Sequence, residues 1–295
     1  MRIMVCAEKD LVTCVALNRL LQGLDEHTVM VALLDQGPVD LSSGSPLRLS
    51  DWFEREMLPQ QVLAPLDGLP APPGELLSFG HLARRYGVPF HTLDRTDAAD
   101  LHRTAAAFRP DVILSLRFGR LFREPTLSLP PLGIFNTHSG ALPAYPGLSA
   151  YAHTLLAGEP DLTCTLHVVD ADIDSGPVIA SRALTFDRDR SILWHLPTLY
   201  MLGAEMFLET LADLAAGRRP IARPQDSAGR RYCKELTPDE ALTLEHRGFR
   251  FVDQRDIDDL TARFTGPAPE HEPVVNHSRH PGHRTTPNSP FAWPR

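Results

Sequence analysis

The sequence predicts an α/β chain with a doubly wound, mostly parallel sheet, followed by a small C-terminal α+β appendix and a disordered tail. Three observations carry that expectation. Short apolar runs bounded by polar turns alternate with helically spaced segments. The alternation continues for roughly 220 residues, the size of one domain. Beyond it the chain of 295 residues becomes polar and rich in proline. The expected boundaries are 1–220 for the α/β domain, 228–265 for the appendix and 266–295 for the tail.

The first run, Ile3 to Ala7, reads as a buried parallel strand. Leu11 to Leu24 has helical spacing, and Val29 to Leu34 completes a β-α-β unit. Residues 36–74 are rich in Pro, Gly and Ser and read as an excursion around an amphipathic segment near Trp52 to Met57. The alternation resumes with a helix from Glu75 to Tyr86, a strand at Pro89 to Leu93, a helix at Ala98 to Ala107 and a strand at Asp111 to Leu116. A strand at Gly133 to Thr137 and a helix at Ser149 to Ala157 follow. Thr163 to Val169 and Val178 to Phe186 form an expected strand pair, and the helical stretch Ile192 to Ala216 closes the domain. After a polar linker, Arg219 to Ser227, the appendix shows a helix at Pro238 to Glu245, a strand at Phe249 to Val252 and a helix at Ile257 to Phe264. From Gly266 onward seven prolines and four histidines stand with almost no apolar periodicity, which makes disorder the physical default. His280 and His283 there make at most a weak chelating pair.

Composition narrows the function classes. A net charge of -8 is poor for gripping a phosphate backbone, so no nucleic-acid partner is expected. No window approaches the roughly 20 apolar residues of a membrane span, and a cytoplasmic protein with no membrane partner is the expectation. Cys6, Cys14, Cys164 and Cys233 are far apart, which fits buried thiols and neither a disulfide framework nor a zinc ribbon. There is no Gly-x-Ser-x-Gly elbow, Gly-x-Gly-x-x-Gly turn or P-loop, so serine hydrolase, dehydrogenase and NTPase readings fall away.

Two polar clusters hold chemistry. Asn136-Thr137-His138-Ser139-Gly140 stands where an apolar strand runs out, and carboxyl ends of strands are where open α/β sheets bind ligands. Residues two apart on a strand point to one side, so Asn136 and His138 share a face. Asn donates to an oxygen gaining charge, and His accepts a proton or stabilises charge near neutral pH. A turn-capping role remains the plain alternative. The second cluster, Asp170-Ala171-Asp172-Ile173-Asp174-Ser175-Gly176-Pro177, sets three carboxylates at alternate positions. Calcium-loop spacing fails, because Ser175 and Ser181 stand where glycine and a bidentate acid belong. A carboxylate turned toward His138 would fix the imidazole and favour its protonated form, while Asx-turns are the structural alternative for Asp170 and Asp172.

The order Asn136-x-His138, Leu142-Pro143, Gly147, Gly158-Glu159, Cys164 to Asp170 and Ile173 to Pro177 resembles the folate-dependent formyltransferase family. That family includes glycinamide ribonucleotide, methionyl-tRNA and nucleotide-sugar formyltransferases. The resemblance is clearest from Asp111 to Leu184 and implies a Rossmann-like domain using 10-formyltetrahydrofolate as formyl donor, without a metal. It implies Asn136, His138 and Asp174 as catalytic residues: the first two stabilise the developing oxyanion, and Asp174 orients His138 and assists proton movement. It also implies a folate site at Phe118, Arg120, Leu121 and Phe122 together with Asp170 and Asp172. Arg117 and Arg120 are candidate substrate or folate-tail contacts, with surface arginines as the plain alternative.

Departures from the family pattern narrow the acceptor. Ribonucleotide-binding relatives carry a glycine-rich turn after the first strand, whereas this chain has Cys6-Ala7-Glu8-Lys9-Asp10. The appendix is too small for the β-barrel of the tRNA enzymes. Gly140 replaces a usual serine and Pro146 a frequent arginine. The expected activity is N-formylation of a small primary amine, such as an amino-sugar nucleotide or a specialised-metabolite amine. Formyltetrahydrofolate hydrolysis and a methionyl-tRNA formyltransferase-like activity are the alternatives, a folate- or nucleotide-binding protein is a third class, and a homodimer stays open.

Overall fold

The computed structural model describes residues 1–226 and 230–266 of the chain. Seven strands form one sheet in the order β3-β2-β1-β4-β5-β6-β7. The strands are β1 (Arg2–Glu8), β2 (Thr28–Leu34), β3 (Phe90–Leu93), β4 (Val112–Leu116), β5 (Ile134–His138), β6 (Asp161–Val168) and β7 (Val178–Thr185). The first five pair in parallel, and β6 and β7 are antiparallel. The doubly wound, mostly parallel expectation therefore holds. The chain runs outward from β1 to β3 and then returns to lay β4 beside β1, so the topological switch falls between β1 and β4, where such sheets open a crevice.

Alternation along β1 explains the layers. Ile3, Val5 and Ala7 enter a core with α1 (Leu11–Gln22) and α7 (Ile192–Ala215), while Met4 and Cys6 face a second core closed by α5 (Asp100–Phe108). Both sheet faces are covered, which is why these strands read as continuous apolar runs. All four cysteines are buried and free, as expected.

The excursion is more ordered than its composition suggests. Residues 46–67 form a helical course: α2 (Pro46–Trp52), π turns at Phe53–Met57 and Pro59–Leu63, and α3 (Ala64–Asp67). Pro46, Pro59 and Pro65 each sit in a first turn, where a missing N–H costs little. Phe53, Leu58 and Leu63 are each 1% exposed or less, so the excursion is part of the main core.

Two expected elements differ. The helix expected from Glu75 starts later, as α4 (Phe79–Tyr86), because residues 75–77 are held elsewhere. Leu76 N–H donates to Arg263 O, and Leu77 exchanges two hydrogen bonds with the Asn18 amide. The strand expected at Phe249 to Val252 pairs with no strand. Its period of two is real, with Phe249 and Phe251 buried, but the carbonyls of Arg250 and Phe251 accept from Ile192 and Leu193 N–H and so serve the first turn of α7.

The helices of residues 230–266, α8 (Pro238–His246) and α9 (Gln254–Thr265), put Leu244, Ile257, Leu260 and Phe264 into the main core. Among the described residues no helix is long and apolar enough to cross a membrane. The expected tail after Gly266, with His280 and His283, lies outside the described residues, as does Ser227 of the linker.

Candidate active site

The carboxyl ends of β4 and β5 and the loop between β6 and β7 meet at one point. Asn136 and His138 share a face of β5, and the antiparallel register sets Asn136 opposite His167 and His138 opposite Thr165. Asp174 comes in from the β6–β7 loop. Its Oδ2 lies 3.4 Å from His138 Nδ1 and its Oδ1 lies 3.4 Å from His167 Nε2. The Asn136 amide nitrogen is 3.0 Å from His167 Nε2 and 3.5 Å from Asp174 Oδ1. Gly147 N–H donates to Asp174 Oδ2 at 2.8 Å.

Partners assign the ring protons, since carbonyls only accept. His138 Nε2 is 2.6 Å from Tyr145 O and carries a hydrogen; His167 Nδ1 is 2.8 Å from Val168 O and carries one too. Burial lowers the His138 pKa, against the pull of Asp174 and the Tyr145 carbonyl, which favour the charged ring. Burial raises the Asp174 pKa, but His138, His167 and the Gly147 N–H outweigh it and hold the carboxyl down at about 2. Asp174 is thus a fixed anion, and His138 is the group poised to gain or lose a proton.

Backbone geometry makes this possible. Asp174 sits at φ 48°, a left-handed conformation that costs a non-glycine residue roughly 1 to 3 kcal/mol. A Cβ on Gly140 would lie 2.9 Å from His138 Nε2 and 2.8 Å from Tyr145 O, so glycine there is what lets the imidazole close on that carbonyl.

Phe118, Arg120, Leu121, Phe122, Asp170 and Asp172 line one cavity together with Asn136, His167 and Asp174. Its volume of about 80 Å³ is small beside the roughly 300 to 1,000 Å³ of ordinary ligand sites, so a two-ring ligand needs the mouth to widen. Its lining combines aromatic and polar groups: Phe118 and Phe122 pack with centroids 5.5 Å apart, and the acidic 170–174 loop also contributes. Leu121, 51% exposed, adds apolar surface. Asp170 binds the Ser175 hydroxyl and Asp172 N–H within its loop, and Arg120 donates to the carbonyls of Asp94 and Asp97. His138 does not line this cavity. A larger cavity, about 720 Å³ between α1, α4 and the 70–77 segment, holds none of the candidate residues.

Arg117 proves to be internal. Its guanidinium donates to Asp10 Oδ2 and to Glu54 Oε1, each at 3.0 Å, and lies over the Tyr200 ring. Asp10 Oδ1 meanwhile caps α1 by accepting Thr13 N–H. The helix end beside β1, an anion site in nucleotide-binding sheets, is here filled by the chain's own carboxylate. Burial, with Asp10 close by, pushes Glu8 to about 7 against the pull of Arg117 and Arg55, and burial pushes Glu54 to about 8 against the pull of Arg117.

The residue that sequence reasoning missed is His167. Its signal was faint: a polar side chain in an apolar strand, two residues from Thr165, meaningful only once the strand register is known.

The formyl transferase family model matches residues 82–192. A methionyl-tRNA formyltransferase of a Roseiflexus species is 34% identical over 160 residues, 54% of this chain and 49% of that protein. The Paramagnetospirillum magneticum enzyme of the same name is 28% identical over 62% of this chain and 61% of its own length. The chain thus spans about half the length of the curated relatives it matches. Among solved structures, glycinamide ribonucleotide transformylase 1 from Symbiobacterium toebii superposes with a TM-score of 0.53 at 23% identity, covering 77% of this chain and 94% of that one. An N-formyltransferase from Helicobacter canadensis, in complex with folinic acid and dTDP-3-aminofucose, gives 0.54 at 17% identity, covering 86% and 82%.

Proposed function

Because residues 82–192 match the formyl transferase family model, we propose that this chain moves the formyl group of 10-formyltetrahydrofolate to a primary amine of a small molecule. An amino-sugar nucleotide or an amine of a specialised metabolite is the acceptor class. The observation that carries the reading is the contact of Asn136, His138 and Asp174 beside a cavity walled by Phe118, Leu121 and Phe122.

The chemistry follows from what each group can do. The acceptor nitrogen forms a bond to the formyl carbon, the carbon's bond to the folate nitrogen breaks, and the proton lost by the amine ends on that folate nitrogen. Asn136 donates an amide N–H to the oxygen that gains charge, and His138 donates a second once Nε2 exchanges Tyr145 O for it. Asp174 keeps the imidazole oriented and favours its charged form, so that His138 carries the moving proton. Phe118, Arg120, Leu121, Phe122, Asp170 and Asp172 hold the donor.

The carboxylate of Asp10 at the start of α1, already paired with Arg117, disfavours a phosphate at that helix end, which supports an acceptor other than glycinamide ribonucleotide. A methionyl-tRNA acceptor is the second reading, favoured by the names of the sequence relatives. Release of tetrahydrofolate by purified protein, measured with amino-sugar nucleotides, other primary amines or charged initiator tRNA while formate is followed, separates them. Turnover that needs one small amine is expected. Turnover only with tRNA, or formate release without any amine, overturns the small-amine assignment. His138→Ala should lower turnover roughly 100-fold or more.

A further inference from the structure

The segment after α7 touches both loops that hold Asp174. Arg223 and Val178 exchange backbone hydrogen bonds at 2.8 Å in each direction, which anchors the segment to the start of β7. Two residues on, the Gln225 side-chain nitrogen donates to Asp174 O at 2.9 Å and to Gly176 O at 2.6 Å. Two carbonyls at that end fix which atom of the amide is nitrogen, and the opposite oxygen is buried without a hydrogen-bond partner among the described residues. Arg230 donates to the neighbouring carbonyl of Ile173. Further along, Cys233 N–H donates to Pro146 O and Leu148 N–H to Cys233 O, bracketing Gly147, whose own N–H binds the Asp174 carboxylate. Residues 223–225 and 230–233 thus grip the left-handed turn at Asp174 and, beyond it, the backbone donor facing that carboxylate.

We infer that Gln225 is a positioning residue for Asp174: its amide, bridging the carbonyls of Asp174 and Gly176, holds the turn that aims the carboxylate at His138. This rests on the proposed roles of Asp174 and His138. The orphaned oxygen argues that the amide is there for its donor end, because an unpaired buried acceptor is a net cost. Without the bridge, the strained turn relaxes and the carboxylate moves away from the imidazole.

The test reads His138 without needing a substrate. The groups that face its ring are Asp174, His167 and the Tyr145 carbonyl, and of these only Asp174 is an anion. Histidine side-chain NMR titration of the full chain is compared for wild type, Gln225→Met, Gln225→Asn and Asp174→Asn. The His138 midpoint is expected to fall in Gln225→Met toward that of Asp174→Asn, with Gln225→Asn between, while His195 stays fixed. In turnover, kcat falls by about 10- to 100-fold with KM for the formyl donor nearly unchanged. An unchanged His138 midpoint in a folded Gln225→Met protein overturns the inference. If that variant does not fold, an unchanged midpoint in Gln225→Asn does so. Shifted midpoints in a protein that transfers no formyl group would sink the proposed function and leave the positioning role standing.

Discussion

Asp174 is one carboxylate facing two imidazoles, and its charge has consequences that can be measured. Its pKa is about 2 in the fold against an ordinary 3.8, so it contributes stability above pH 3.8 that is lost as pH falls toward 2. Over that interval the wild type should lose on the order of 2 kcal/mol more than Asp174→Asn, as read by urea denaturation at stepped pH. The same substitution should cut turnover roughly 100-fold, since the buried His138 loses the anion that favours its charged form. Gly140→Ala tests the neighbouring contact: its methyl would lie 2.6 Å from Ala150 Cβ as well as against His138, so a loss of about 1 to 3 kcal/mol and a displaced imidazole signal are expected. Asn136 and His138 were legible as a pair because they are two apart on a strand that ends in polar residues. That a carboxylate of the 170–174 loop turns toward His138 was legible from the acidic cluster, the family resemblance singled out Asp174 from 36 residues further on, and His167 needs the β5–β6 register, which local pattern does not encode.

At the level of elements, strands buried on both faces announce themselves as apolar runs, and so the sheet could be read from sequence. The excursion could be read only near Trp52 to Met57, because Pro46, Pro59 and Pro65 look like breaks until each is seen in the first turn of its own helical segment. The extended stretch at 249–252 has strand periodicity, yet its partner is a helix end. The long helix α7 lies close to the sheet at Gly203, where an added Cβ would meet Thr137 Cγ2 at 2.8 Å and Cys164 Sγ at 3.0 Å. Propensity alone favours Gly203→Ala by roughly 1 kcal/mol, but the collision should win, for a net loss of about 1 to 3 kcal/mol in thermal or chemical denaturation. A stabilised variant would show that the helix can lift without disturbing Thr137, the residue between Asn136 and His138.

For the molecule as a whole, the buried cluster of Arg117, Asp10, Glu54 and Glu8 sets a pH trend opposite to that of Asp174. Carboxyls whose pKa is raised by burial contribute stability below about pH 4.5, and it is lost as pH rises through about 7 to 8. Glu54→Gln should therefore flatten the decline in unfolding free energy between pH 5 and pH 8; an unaltered slope would remove Glu54 as its source. The cluster also ties three stretches that are distant in sequence: the start of α1, the excursion and the end of β4. Peeling the excursion off the sheet would remove the Glu54 carboxyl that accepts from Arg117 while Asp10 keeps its own contact, a loss of about 1.5 to 3 kcal/mol for a buried hydrogen bond to a charged group. Hydrogen exchange should accordingly find the amides of residues 53–63 opening together with those of β4 and α1, not as a separate early event. The proline-rich excursion, which looks like the part most easily shed, is thus electrostatically locked into the same cooperative unit as the strands that frame the site.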